Sequence, residues 1–364
     1  MRKIFSIVIF TCFLFTIPVI VFAAEGQCAA IDKVTLQLKW TPQAQFAGYY
    51  VANELGYYKD ECLDVTIRPG GLSTEPEEVV SKGDAQFGIT WQASMLSFVD
   101  KGMSVKAIAQ VFQTGGMRLL SWKESNIRSA DDLKGKKVAV WFGGHQWELL
   151  ATLAKRGLDP DKDVTLVSQS MDMNLLLEHK VDVASAMTYN ELAQVLEAVN
   201  PATGKLFQLA DLNVIDFNKE GNAMLEDRIF VMADWLKDPK NQDIAVRFLR
   251  ASLRGWIYCR NHPDDAVTIV LKMAPGLGRS HQSWQMNEVN KLIWPSPHGI
   301  GVMDAKRWDE TAKILHRYHV TKTVADRSVY TNEFVEKALR SLKDLDTKGA
   351  NWKPQVVTLA EGGH

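Results

Sequence analysis

Val34-Thr35-Leu36-Gln37-Leu38-Lys39-Trp40-Thr41-Pro42-Gln43-Ala44-Gln45-Phe46-Ala47-Gly48-Tyr49-Tyr50 carries the fold of this chain in one stretch. Val34, Leu36, Leu38 and Trp40 fall on one face and Thr35, Gln37 and Lys39 on the other, the period of two of a β-strand. Thr41 suits a helix N-cap, Pro42 the first helical position, and Gly56 closes the helix about four turns later. A strand feeding directly into a helix puts backbone N–H groups, the Trp40 indole and the Gln45 amide at the strand's carboxyl end. In open α/β sheets small ligands bind there. The stretch points to a binder of a flat, polar small molecule.

The same unit recurs along the chain. Residues 86–90 read as a strand followed by Trp91 and Gln92 and a helix capped by Gly102. Residues 105–111 form another strand, and Gln113-Thr114-Gly115-Gly116 has the turn chemistry of a crossing between lobes. A strand over 136–141 runs into Phe142-Gly143-Gly144 and a helix over 145–156 capped by Gly157. Two more apolar runs, 164–167 and 181–187, each precede helical pattern, and 229–232 reads as the strand returning to the first lobe. Beyond it the pattern is helical over 243–259, 263–272 and 283–293. Repeated βα units with few hairpin signals imply α/β architecture with parallel-rich sheets covered by helices on both faces. The expected organisation is a discontinuous first lobe (31–117 plus 228–345), a continuous second lobe (118–227), hinge strands near Met117 and Asp227, and a C-terminal tail (346–364).

Strand ends gather the candidate site. Trp40 and Gln45, Trp91 and Gln92, Trp141 with Gly143-Gly144-His145, and Met187-Thr188-Tyr189-Asn190-Glu191 occupy the same topological position, so all should face one crevice. The aromatic faces would sandwich a planar heterocycle, with Asn190, Glu191 and the glutamines meeting its ring nitrogens and exocyclic amines. The alternative for any one of these rings is core packing. The Gly143-Gly144-His145 turn resembles an anion nest, with an ordinary βα turn weighing equally. Asp216 reaches the cleft from the hinge side or serves the hinge structurally.

Residues 1–23 read as a secretory signal, with basic Arg2 and Lys3, an apolar run and a small-residue exit, so the mature protein is expected to be exported. Losing Arg2 and Lys3 takes the formal net charge from −1 to −3, which gives no reason to expect nucleic acid or an anionic membrane as partner. In an oxidising compartment Cys28 and Cys62 precede two strands of one βαβ unit, which begin at the same end of the sheet, and a Cys28–Cys62 disulfide is predicted. Cys259, among Trp256, Ile257 and Tyr258 on a helix, is expected to be a buried free thiol. No Walker loop, dinucleotide fingerprint, nucleophile elbow or H-E-x-x-H motif is present. His316 and His319 are three apart but lack a third ligand nearby, so no metal and no cofactor are expected.

Leu36-Gln37-Leu38-Lys39-Trp40 with residues 43–50, Gly56-Tyr57-Tyr58 and Leu63-Asp64-Val65 resembles the opening of the thiamine-pyrimidine-precursor binding proteins. Asp132-Leu133-Lys134-Gly135-Lys136-Lys137-Val138, Met187-Thr188-Tyr189-Asn190-Glu191 and Gly255-Trp256 extend the resemblance over the mature chain. The family is related to the sulfonate, nitrate and taurine binders of ABC importers. The resemblance implies a type II periplasmic-binding-protein fold, two Rossmann-like lobes closing about a hinge. It also implies a periplasmic monomer that delivers a hydroxymethylpyrimidine, a formylaminopyrimidine, riboflavin or a similar planar heteroaromatic to an ABC permease at the inner membrane. The same family includes the thiamine pyrimidine synthase, which consumes pyridoxal phosphate and one of its own histidines. By resemblance its lysine falls near Thr90, its histidine near Ser94 and its cysteine motif near Gly221-Asn222-Ala223-Met224-Leu225-Glu226. None of the three is present, so a non-enzymatic binder is expected.

Overall fold

In this computed structural model the described residues are 28, 30–142 and 144–363. The secretory signal read at 1–23 and the Gly143 position lie outside them. Among the described residues twelve strands follow one another: β1 (Asp32–Gln37), β2 (Leu63–Arg68), β3 (Phe87–Thr90), β4 (Val105–Gln110), β5 (Met117–Trp122), β6 (Lys137–Val140), β7 (Thr165–Ser168), β8 (Val183–Met187), β9 (Val199–Asn200), β10 (Lys205–Leu206), β11 (Leu212–Asp216) and β12 (Arg228–Met232). They build two five-stranded sheets, ordered β2-β1-β3-β12-β4 and β11-β5-β8-β6-β7, and a small β9–β10 ribbon.

Each large sheet has three parallel strands and then one strand antiparallel to both of its neighbours. Those odd strands, β12 and β5, are the ones that arrive from the other sheet. The sheets are parallel-rich as expected, and the reversed direction of β5 and β12 follows from their entry at the cleft. The chain leaves the first sheet through 111–116 and returns through 217–227. Glu226 ties these crossings together, its carboxylate accepting from the N–H of Gly116 (2.9 and 3.0 Å) and of Met117 (3.1 Å).

β1 and β2 pair in parallel from Asp32↔Leu63 to Gln37↔Arg68, which brings the residues before them to one end of the sheet. A disulfide joins Cys28 and Cys62 there, with their Cα atoms 5.6 Å apart, and Cys259 is a buried free thiol. The first helix begins later than the Thr41-Pro42 pair suggests. Gln43 is extended, Ala44–Phe46 form a 3-10 turn, and the α-helix spans Ala47–Glu54. The caps come from elsewhere: Gln282 Oε1 accepts from Ala44 N–H (2.8 Å) and Gln285 Oε1 from Gln45 N–H (3.2 Å). Gly56 adopts the left-handed conformation that ends the unit, as expected.

Helix Ala47–Glu54 packs on the 23-residue helix Pro239–Asn261, and two glycines set their spacing. A Cβ at Gly48 would enter the Trp256 ring, and one at Gly255 would strike the Gly48 carbonyl. Helix Arg279–Ile293 lies between the two sheets. Gln282 and Gln285 reach the first, while Trp284 Nε1 donates to Thr188 O (2.9 Å) beside the second. The C-terminal segment runs along this helix, pairing Gln355 with Asn287 (2.8 and 3.1 Å), packing Leu359 against the second sheet's core, and donating from Gly362 N–H to Glu197 O (3.2 Å). No helix among the described residues is long and apolar enough to cross a membrane.

Candidate functional site

The carboxyl ends of β1 and β3 from one sheet meet those of β6 and β8 from the other. Lys39, Trp40, Gln43, Gln45 and Trp91 line one wall of the cleft, and Trp141, His145, Met187, Tyr189, Asn190 and Glu191 line the other. The structure therefore brings together Trp40, Gln45, Trp91, Trp141, His145, Tyr189, Asn190 and Glu191. The cavity is about 20 Å³. That exceeds the ~10–15 Å³ one water needs and falls far short of the ~300 Å³ of a ligand pocket. A heteroaromatic ring enters only if the walls part.

His145 lines this cleft beside two indoles. Its ring comes from the segment after β6 of the second sheet and stands edge-on to Trp91 (centroids 4.6 Å apart, 84°) and Trp40 (5.7 Å, 74°). Burial pushes the imidazole well below its ordinary pKa, and the Lys39 ammonium adds to this, so His145 is a neutral ring in an aromatic slot. Lys39 is itself buried, with Nζ 3.4 Å from Glu75 Oε2. Trp141 is fixed by donating from Nε1 to Ser170 O (2.7 Å).

Polar groups around the slot are held tightly. Asp227, on the return crossing, accepts from Gln45 Nε2 (2.9 and 3.1 Å) and Trp91 Nε1 (3.1 Å), and Gln43 Nε2 donates to Gln45 Oε1 (2.7 Å). Gln45 is thus locked from both ends of its amide. Burial raises the Asp227 carboxyl to about 7. On the opposite wall Glu191 accepts from Met187 N–H (2.9 Å) and Asn190 Nδ2 (2.7 Å), and burial raises its carboxyl too. Behind the slot Glu148 accepts from Met224 N–H (2.5 Å) and is raised by burial to about 8. Glu226 is pushed up by burial and then by its acidic neighbours Glu148 and Asp227. Three buried acids thus stand where the crossings meet the cleft.

Gln92 is a correction. Its Oε1 accepts from Arg228 Nη2 (2.8 Å) and its Nε2 donates to Trp308 O (3.2 Å), so the amide faces the buried Arg228 and not the cleft. Being the residue after Trp91, it starts the helix on another face. Gly144 lines a smaller adjoining cavity, with Gly143 outside the described residues. Asp216 has a structural place: it caps the short helix Phe217–Glu220 through Asn218 N–H (2.9 Å) and pairs with Arg118 (3.2 Å). The Met187 end of the 187–191 stretch lines the cleft as expected, whereas sequence reasoning missed Lys39, Gln43 and Asp227 as cleft or supporting residues. The Glu226-Asp227-Arg228 run, three charges at the head of a buried strand, was the available signal.

No group of three or more His, Cys, Asp or Glu among the described residues is arranged to hold a metal. Thr90 and Ser94 are buried, Thr90 Oγ1 donating to Glu77 Oε1 (2.5 Å) and Ser94 lying beside Gly144.

The family profile described as NMT1/THI5 like matches residues 43–266. The chain belongs to this family. A riboflavin-binding protein, RibY, of Chloroflexus aurantiacus is 25% identical over 84% of this chain and 86% of its own length. A 4-amino-5-hydroxymethyl-2-methylpyrimidine phosphate synthase of Legionella pneumophila is 24% identical over 68% and 75%. A formylaminopyrimidine-binding protein of Halalkalibacterium halodurans is 21% identical over 79% and 85%. Among solved structures, the periplasmic sulfonate-binding protein SsuA of Methylobacillus flagellatus superposes with a TM-score of 0.58 at 19% identity, covering 90% of this chain and 99% of that one. At that identity the likeness concerns the fold, which is the periplasmic-binding fold expected from the sequence.

Proposed function

We propose that this protein is the exported solute-binding component of an ABC importer, closing its two lobes on a thiamine pyrimidine precursor or a similar planar heteroaromatic. The observation that carries the reading is the slot itself. Trp40 and Trp91 from one lobe and Trp141 and Tyr189 from the other enclose it, with Asn190 and Glu191 at its polar edge. Aromatic walls suit a flat ring of any heterocycle, and the Glu191 carboxylate suits an exocyclic amine. Riboflavin is the second reading, favoured by the similarity to RibY along most of both chains. Catalysis of the synthase type finds no support at Thr90, Ser94 or residues 221–226, where the lysine, histidine and cysteines of that chemistry have no counterpart. In this reading the protein is a periplasmic monomer, lobe 1 comprises 31–117 and 228–345, lobe 2 comprises 118–227, and the partner is a permease at the inner membrane.

Mass spectrometry of small molecules released from freshly purified protein identifies the ligand. Small-angle scattering then reads the hinge, with a smaller radius of gyration expected at saturation, since a ligand shifts the open–closed balance only through its differential affinity. No thermal shift with any of a panel of pyrimidines, flavins and sulfonates defeats the reading.

A further inference from the structure

Asn190 and Glu191 sit side by side on the cleft wall, and what fixes the Asn190 amide is a residue from a different element. His281, buried on helix Arg279–Ile293, places Nε2 2.8 Å from Asn190 Oδ1 and Nδ1 2.9 Å from Glu197 Oε2. Asn190 Nδ2 in turn donates to Glu191 Oε1 (2.7 Å), and the other Glu191 oxygen accepts from Met187 N–H (2.9 Å). The four side chains form one line of hydrogen bonds from the cleft to Glu197.

The polarity of that line follows from donor and acceptor capacity. Glu191 accepts from the amide NH2, so Asn190 turns its oxygen to His281, and Nε2 must carry the hydrogen. Nδ1 faces the Glu197 carboxyl across 2.9 Å. With its oxygen engaged, Asn190 has one N–H left for the cleft, and Glu191 has lone pairs left beside it. We propose that His281, backed by Glu197, is the positioning residue that orients Asn190, so that the cleft reads a ring edge with an acceptor next to an N–H. The inference rests on the heteroaromatic reading above. It restricts the ligand to rings such as aminopyrimidines, with ring nitrogen beside amine, and flavins, with carbonyl beside imide N–H. It excludes rings that offer only donors or only acceptors along that edge.

The test uses the full chain and a matched probe pair, 4-amino-5-hydroxymethyl-2-methylpyrimidine and its analogue with C–H in place of the ring nitrogen beside the amine. An unpaired buried N–H on Asn190 should make the wild type prefer the pyrimidine by roughly 10- to 100-fold in Kd. In His281→Ala the amide can rotate, and the ratio should fall below about 3-fold, while His281→Gln, which keeps a donor near the Nε2 position, restores it. A purely structural His281 would change melting temperature and leave the ratio alone, and that result overturns the proposal. Nitrogen-15 NMR of the histidine rings reads the same point without ligand, with His281 assigned by its loss in His281→Gln. A hydrogen-bearing Nε2 is expected, and a bare Nε2 overturns the orientation. If neither the pyrimidine nor riboflavin binds the wild type, the heteroaromatic reading fails, and the NMR result still decides the role of His281.

Discussion

Replacing Asp227 by Asn tests whether a buried acid at the return crossing makes closure and stability depend on pH. Asn tolerates the positive φ of 45° found at this position. It keeps one acceptor but puts an NH2 against either Gln45 Nε2 or Trp91 Nε1, and a lost hydrogen bond costs about 0.5–1.5 kcal/mol while the carboxyl is protonated and about 1.5–3 kcal/mol once it is ionised. The pH dependence is more diagnostic. Burial raises the Asp227 carboxyl from an ordinary 3.8 to about 7, so the folded protein holds a proton that the unfolded chain releases. The stability this group contributes is complete below pH ~3.8 and is lost as pH rises through about 7. Between pH 5 and 8 the wild type should lose roughly 2–3 kcal/mol through Asp227, and Asp227→Asn should not. For a chain of this length that is about 3–4 °C in melting temperature. His145, depressed by burial, acts with the opposite sign near its unfolded pKa but is common to both proteins and cancels in the difference. The assay is calorimetric melting of wild type and variant at half-unit steps from pH 5 to 8. Parallel curves for the two proteins would refute the reasoning.

Gly48→Ala forces a methyl into the Trp256 ring and should cost roughly 1–3 kcal/mol by overpacking, read from denaturant unfolding, with no loss if the two helices can part freely. Replacing Cys28 and Cys62 together by Ser opens a loop with a sequence separation of 34 and should cost about 4 kcal/mol in the chain-entropy account, visible as a lower melting temperature than the oxidised protein. Trp91→Ala should weaken ligand binding by at least ~1 kcal/mol if the indole stacks on the ring. A loss of stability with unchanged affinity, measured by titration calorimetry alongside melting, would return Trp91 to the core.

Much of the site was legible because it depends on local order along the chain. Trp40, Trp91, Trp141 and Tyr189 each follow a short strand and precede a helix or its first turn, and the apolar period locates the strand although at β1 it runs on to Trp40, three residues past the strand's end at Gln37. Once the strands of a sheet run the same way, their ends must share one side, and the disulfide between the starts of β1 and β2 follows from the same geometry. Tertiary structure decided which side chains turn toward that side. Gln92 was lost to the cleft because its partner Arg228 lies 136 residues away, and no pattern around Gln92 announces a buried guanidinium. Asp227 was gained because the return crossing brings it beneath Gln45, 182 positions distant, where Gln45 and Trp91 donate to it. The start of the first helix moved for the same reason: Gln282 and Gln285, not Thr41, accept from its first N–H groups. Strand periodicity is a property of neighbours in sequence, whereas burial of a polar group requires a specific partner, and here those partners come from elements that meet only when both sheets are assembled.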